Sequence, residues 1–125
     1  TTLEEAARIM IDNTLGGLPV LRDRELVVII TETDLIKIFL ELLGARVAGV
    51  RITALVPNIP CQLEIFTKAI FEVGGNILSL GTFLGESSEN LEFTLKVEGV
   101  DRDGLAAAIK PHTVLITDIR ESPMV

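Results

Sequence analysis

The apolar positions along this chain follow two different periods, and the change between them divides it. Residues 26–30, Leu-Val-Val-Ile-Ile, run without a polar interruption and are mostly β-branched. A run of this kind predicts a buried strand. It passes straight into a helix, because Thr31 and Asp34 have the Ser/Thr-x-x-acid spacing of a capping box. In residues 35–43 only Lys37 and Glu41 interrupt the apolar positions. A helix apolar on nearly all sides is expected to be buried on more than one face, with one face meeting another domain or subunit. Gly44 ends it.

Upstream, Thr1 and Thr2 followed by Glu4 and Glu5 read as a helix cap with acidic residues in the first turn. Leu3, Ala6, Ala7, Met10 and Ile11 form the apolar face of this helix, which is expected to cover a sheet. Gly16 and Gly17 stop it, and residues 18–21 form a short strand whose Pro19 suits a strand start or edge. Arg22, Asp23, Arg24 and Glu25 make a tight polar turn that joins this strand to residues 26–30 as a hairpin. No initiator Met precedes Thr1, so the chain is expected to begin inside a longer protein.

From residue 47 the pattern alternates. Val50, Ile52, Ala54 and Val56 alternate with Arg51 and Thr53 in a half-buried strand over residues 47–56, and residues 57–60 break it. Residues 62–73 place Leu63, Phe66, Ile70 and Val73 on one helical face before Gly74 and Gly75. Residues 76–84 and 91–97 are strands around a loop at 85–90, with Leu91, Phe93, Leu95 and Val97 facing one way. A second helix over 101–110 turns Leu105, Ala106 and Ile109 inward, Pro111 ends it, and residues 114–119 are the last strand. The order β-α-β-β-α-β predicts an antiparallel sheet with both helices on one face, an α+β class. The domain boundary is placed between residues 1–46 and 47–125.

Composition narrows the function. The net charge of −7, from 11 basic and 18 acidic residues, argues against nucleic acid and anionic membranes as partners. No apolar run spans a bilayer and no secretion signal is legible, so the expected setting is cytoplasmic. One cysteine and one histidine leave no zinc set and no internal disulfide; neither a metal nor a cofactor is expected. With aromatics at only 4%, the core must be aliphatic around five phenylalanines.

The chemistry that remains is concentrated at two helix starts. The N–H groups and dipole at the helix beginning near Thr31 suit a phosphate, and Asp34 can accept hydrogen bonds from ribose hydroxyls. Thr31, Thr33 and Asp34 therefore form a grip for the sugar and phosphate of a nucleotide, or else a capping box that only stabilises its helix. Cys61 at the second helix start is either a nucleophile or, the favoured reading, a buried thiol packing as a small hydrophobe. Asp101 and Asp103 read as capping residues, and His112 has no Ser, Cys or carboxylate partner at catalytic spacing. No enzyme is expected.

The segments Thr-Thr-Leu-Glu-Glu-Ala-Ala-Arg-Ile-Met at 1–10, Gly-Gly-Leu-Pro-Val at 16–20 and Ile-Ile-Thr-Glu-Thr-Asp-Leu at 29–35 closely resemble a CBS domain lacking its first strand. The remainder, with Pro60-Cys61-Gln62-Leu63 and Gly75-Asn76-Ile77, resembles an ACT domain. The combination is similar to the C-terminal part of acetoin-utilisation-type regulatory proteins, in which two CBS domains precede one ACT domain. The first resemblance implies an adenosyl ligand (AMP, ADP, ATP or S-adenosylmethionine) in a cleft between paired CBS domains. Thr31 would then meet phosphate, Asp34 the ribose, and Gly17, Leu18 and Pro19 the adenine. The second implies a small effector, commonly an amino acid, at Asn58, Ile59, Pro60, Cys61, Gln62 and Leu63, with Asn76 nearby and a dimer interface alongside. These families often carry glycine where Val28 and Cys61 stand. Together they imply a non-catalytic, homodimeric regulatory sensor; the alternative is a structural dimerisation module without a working ligand site.

Overall fold

The computed structural model describes residues 1–85 and 87–123. The chain divides into two compact units, Thr1–Leu40 and Glu41–Val125. In the first, α1 (Leu3–Asp12) begins at Thr2, whose hydroxyl accepts from the Glu5 N–H while the Glu5 carboxylate accepts from the Thr2 N–H. Ala6 and Met10 bury its inner face. The strands β1 (Gly17–Arg22) and β2 (Glu25–Thr31) pair as an antiparallel hairpin. Asp23 and Arg24 turn it with φ of +51° and +68°, the left-handed pair that matches the twist of the strands. The helix α2 (Glu32–Leu42) follows β2 directly.

The expectation of a buried strand at 26–30 is corrected here. Among the described residues β2 pairs only with β1, in a two-stranded sheet, and Leu26, Val27, Val28 and Ile29 are each more than half exposed. A two-stranded ribbon has no inner layer, so alternate side chains on both faces meet solvent. Nor is any residue of α2 buried; Ile36, Phe39 and Leu42 lie open. The first unit by itself has no layer over this apolar run.

The second unit is self-sufficient. β3 (Gly49–Pro57), α3 (Gln62–Glu72), β4 (Asn76–Leu84), β5 (Asn90–Glu98), α4 (Arg102–Ile109) and β6 (Leu115–Ser122) run in that order. The sheet order is β4-β5-β3-β6, antiparallel throughout, which is the ferredoxin-like βαββαβ arrangement. The alternation predicted for 50–56 holds, with Val50, Ile52, Ala54 and Val56 buried against Phe93, Leu95 and Val97 of β5. Phe66 and Phe93 meet edge to face at 5.4 Å. Asp101 caps α4 by accepting from the Gly104 N–H at 2.6 Å. The inner face of α3 is rotated from the expected one: Gln62, Phe66, Ala69 and Ile70 are buried, whereas Leu63 and Val73 are exposed. Leu63 sits about 100° around the helix from Gln62, and the sheet takes the Gln62 side. The last strand runs on to Ser122. Glu86 of the expected loop lies outside the described residues. Among the described residues, no helix is long and apolar enough to cross a membrane.

Gly75 is where α3 returns to the sheet. A Cβ there would lie 2.7 Å from Ile70 Cγ2 and 2.9 Å from Val97 Cγ1, both fully buried. Gly75→Ala is expected to destabilise the second unit by about 1–3 kcal/mol through overpacking. Urea unfolding followed by circular dichroism reads this as a lower midpoint at unchanged slope; an unmoved midpoint contradicts the close packing at Gly75.

Candidate functional site

The hairpin register places the first set of candidate residues together. Gly17 pairs with Thr31, Leu18 with Ile30, and Pro19 with Ile29. A Cβ on Gly17 would sit 3.0 Å from the Ile30 carbonyl oxygen, so the small residue lets β1 lie close to the end of β2. Leu18 and Pro19 line a groove of about 490 Å³ with Val20, Ile30 and, from α1, Leu3 and Ala6. Thr31, Thr33 and Asp34 are not in its lining; Thr31 directly follows Ile30 at its edge. Thr1 and Thr2 also line it, so the groove is mostly apolar with a polar edge at the start of α1, and the start of α2 follows Ile30.

That helix start is organised by two residues. Thr31 donates to Asp34 Oδ2 from its backbone N–H at 2.9 Å and from its hydroxyl at 3.0 Å, and the Asp34 N–H donates back to Thr31 Oγ1 at 3.3 Å. The spacing seen in the sequence is a formed capping box. The Thr31 N–H, then its hydroxyl, hold the half-buried Asp34 carboxyl below the usual carboxylate range, and Lys37 adds to this. Both bonds to the carboxylate end on Oδ2, which leaves Oδ1 for a ligand hydroxyl. Thr33 is exposed. The arrangement can present a carboxylate and helix N–H groups side by side, next to an apolar groove.

The second candidate set is scattered more widely. Asn58 is tied to the β4–β5 connection, its N–H donating to Glu89 O at 2.7 Å and its Nδ2 to Ser88 O at 3.1 Å. Ile59 and Pro60 are exposed. Cys61 is exposed too, which corrects the expectation of a buried thiol. Its φ is +68°, a left-handed conformation that glycine adopts without strain, and its side chain caps nothing. Gln62 is 6% exposed; its Nε2 donates to His112 O at 3.4 Å, and among the described residues its Oε1 has no partner. Leu63 faces outward. Asn76 donates from Nδ2 to Glu98 Oε1 at 2.9 Å.

Asn76 does not lie near the 58–63 turn, as the sequence reading had it. Pro57 pairs with Asn90 and Asn76 with Glu98, at opposite ends of β5. At about 3.3 Å per residue these ends are on the order of 25 Å apart. The helix between two strands that run the same way carries the chain back along the full sheet, so the exit of one and the start of the next are distant.

One polar cluster escaped the sequence reading. Lys96 of β5, Arg51 of β3 and Ser79 of β4 stand in one cross-strand row, because a register shift between Ile77 and Ser79 brings Ser79 opposite Lys96. Lys96 is fully buried and donates from Nζ to Gly44 O at 2.8 Å. The Arg51 guanidinium donates to Leu43 O, and Ser79 Oγ donates to the same carbonyl at 3.0 Å. Burial lowers the Lys96 pKa, with a further contribution from the Arg51 charge. The available signal was a pair of cations at alternating positions, and only the strand register reveals that they are neighbours.

Among the described residues, no group of three or more His, Cys, Asp or Glu side chains could hold a metal ion. Residues 1–41 match the CBS domain family. A CBS domain points to a regulatory, ligand-binding role, with small-molecule effectors such as adenosyl ligands. No curated protein matches the chain.

The Asp34 capping box gives the first unit a pH dependence of known sign. The folded-state pKa of Asp34 lies below its unfolded value, so its contribution is complete above about pH 4 and is lost as pH falls through the folded value. The Tm of wild type is expected to exceed that of Asp34→Asn at neutral pH. The gap shrinks on acidification below about pH 4. A gap that stays constant with pH shows that the carboxylate is not held by Thr31.

Proposed function

We propose that this chain is a non-catalytic, cytoplasmic regulatory sensor. Its CBS unit binds an adenosyl ligand, AMP, ADP, ATP or S-adenosylmethionine, and its second unit acts as an ACT domain that couples binding to a downstream partner, in acetoin utilisation. The observation that carries the reading is the Thr31–Asp34 pair at the start of α2, with one carboxylate oxygen uncommitted and Leu18 and Ile30 beside it. Phosphate meets the N–H groups of the first turn of α2, the ribose hydroxyls donate to Asp34, and adenine lies along Gly17, Leu18 and Pro19. Thr31 has the further task of keeping the Asp34 carboxylate ionised and aimed. A second copy of the chain completes the cleft, and the exposed Leu26, Val27, Val28 and Ile29 supply apolar surface for that homodimer.

Two other readings each rest on an observation. A structural dimerisation module fits the same capping box, since Thr31 and Asp34 already satisfy one another. Amino-acid sensing by the ACT unit fits the glycine-like backbone of Cys61 and the buried Gln62 Oε1, which has no partner among the described residues, at the start of α3.

Calorimetric titration of the four adenosyl compounds into the chain separates these readings, with Asp34→Ala as control. The sensor gives saturable binding that weakens by roughly 10- to 100-fold in the variant, the cost of losing hydrogen bonds to a charged acceptor. Binding that Asp34→Ala leaves unchanged removes Asp34 from the site, and no heat from any of the four favours the dimerisation module. Saturable heat from an amino acid, insensitive to Asp34→Ala, favours the ACT reading.

A further inference from the structure

We propose that Arg51, Ser79 and Lys96 form a site for a small oxyanion, a carboxylate or a phosphate, whose place the backbone of Leu43 and Gly44 takes in this structure. All five residues belong to the second unit, and the site is independent of the adenosyl reading. A row of positive charge crosses the sheet there. Arg120 of β6 stands opposite Arg51 of β3, and Arg51 stands opposite Lys96 of β5. Like charges facing one another on neighbouring strands repel. Arg120 is answered by Asp118, whose carboxylate accepts from it at 2.8 and 2.9 Å. Arg51 and Lys96 have no such answer: the ion pairs formed among the described residues, Arg8–Asp12 and Asp118–Arg120, include neither. With 18 acidic residues against 11 basic ones, the chain is not short of carboxylates.

Burial makes the missing charge matter. Lys96 is fully buried, and a buried cation is costly unless an anion or well-placed acceptors meet it. What meets this pair is uncharged. Leu43 O accepts from the Arg51 guanidinium and from Ser79 Oγ at 3.0 Å, and Gly44 O accepts from Lys96 Nζ at 2.8 Å. Three donor groups from three strands thus converge on two neighbouring oxygens, one shared by a guanidinium and a hydroxyl and one held by an ammonium. A carboxylate or phosphate offers two such oxygens together with the negative charge that the two carbonyls lack. In a site shielded from water that charge is weakly screened, so the exchange of carbonyl for anion is favourable.

The backbone can leave without stranding a polar group. Gly44 O also accepts from the Val47 N–H at 3.2 Å, and the Gly44 N–H donates to Glu41 O at 3.0 Å, so the turn keeps its own hydrogen bonds when Lys96 is withdrawn. Its seat depends on Gly44, whose φ is +64°. Anion and backbone compete for the same donors, and the seated backbone lowers the apparent affinity by the fraction of time it occupies them.

Inorganic phosphate and acetate, titrated separately into the full chain at constant ionic strength, test the site through the amide resonances of Gly44, Val47 and Lys96. Saturable shifts at these amides are expected with at least one of the two, and which one binds distinguishes a phosphate from a carboxylate ligand. Gly44→Ala puts a Cβ on a left-handed residue, which weakens the seated turn and keeps all three donors; affinity is expected to rise by about five- to thirtyfold. Lys96→Met is expected to lower it by at least about tenfold, with Arg51→Gln in its place should Lys96→Met lose its cooperative thermal transition. The proposal is overturned if neither probe gives saturable shifts at these amides in wild type or Gly44→Ala, or if Gly44→Ala leaves the affinity unchanged. Binding that survives the loss of Lys96 or Arg51 overturns it as well, and so do shifts confined to Thr31 and Asp34, which place the anion at the start of α2.

Discussion

Leu26, Val27, Val28 and Ile29 expose 51–61% of their surface on a strand that pairs, among the described residues, with β1 alone. Burying the exposed half of each would gain roughly 0.8–1.5 kcal/mol, and Ile36, Phe39 and Leu42 of α2 face the same choice. The first unit is therefore held together by local devices: the Thr2–Glu5 box, the left-handed turn at Asp23 and Arg24, and the Thr31–Asp34 box. These set its geometry without hiding its apolar surface.

The second unit resolves the same problem within one chain. Its sheet buries one face against α3 and α4, and Phe66, Ile70, Leu105 and Ile109 reach zero exposure there. The other face spends polar groups: Arg51, Ser79 and Lys96 hold the two carbonyls beyond α2.

Much of this was legible in the sequence wherever a period or a cap is local. The alternation of Val50, Ile52, Ala54 and Val56, the Thr31-x-x-Asp34 spacing and the Asp101 cap all depend on neighbours a few residues away, and the structure has each of them. The readings that failed depended on distant partners. Burial of residues 26–30 requires a covering layer that the sequence only hints at. The position of Asn76 requires knowing that α3 carries the chain the length of the sheet. Residue type alone makes Cys61 a small hydrophobe, and it says nothing about the left-handed backbone found there. Lys96 lies between Leu95 and Val97, and its enclosure comes from Arg51 and Ser79 on the neighbouring strands, which local spacing does not reveal. For the candidate site the sequence supplied the polar pair and its spacing; the groove beside it comes from the register of β1 against β2.

The central claim is that two copies complete one adenosyl site, and sedimentation velocity of the full chain with and without AMP addresses it most directly. The account predicts a species of twice the chain mass whose dissociation is suppressed by AMP, and a Val28→Lys variant that sediments as a monomer because a charge now lies on the exposed strand. A chain that remains monomeric at every concentration, with AMP present or absent, contradicts it.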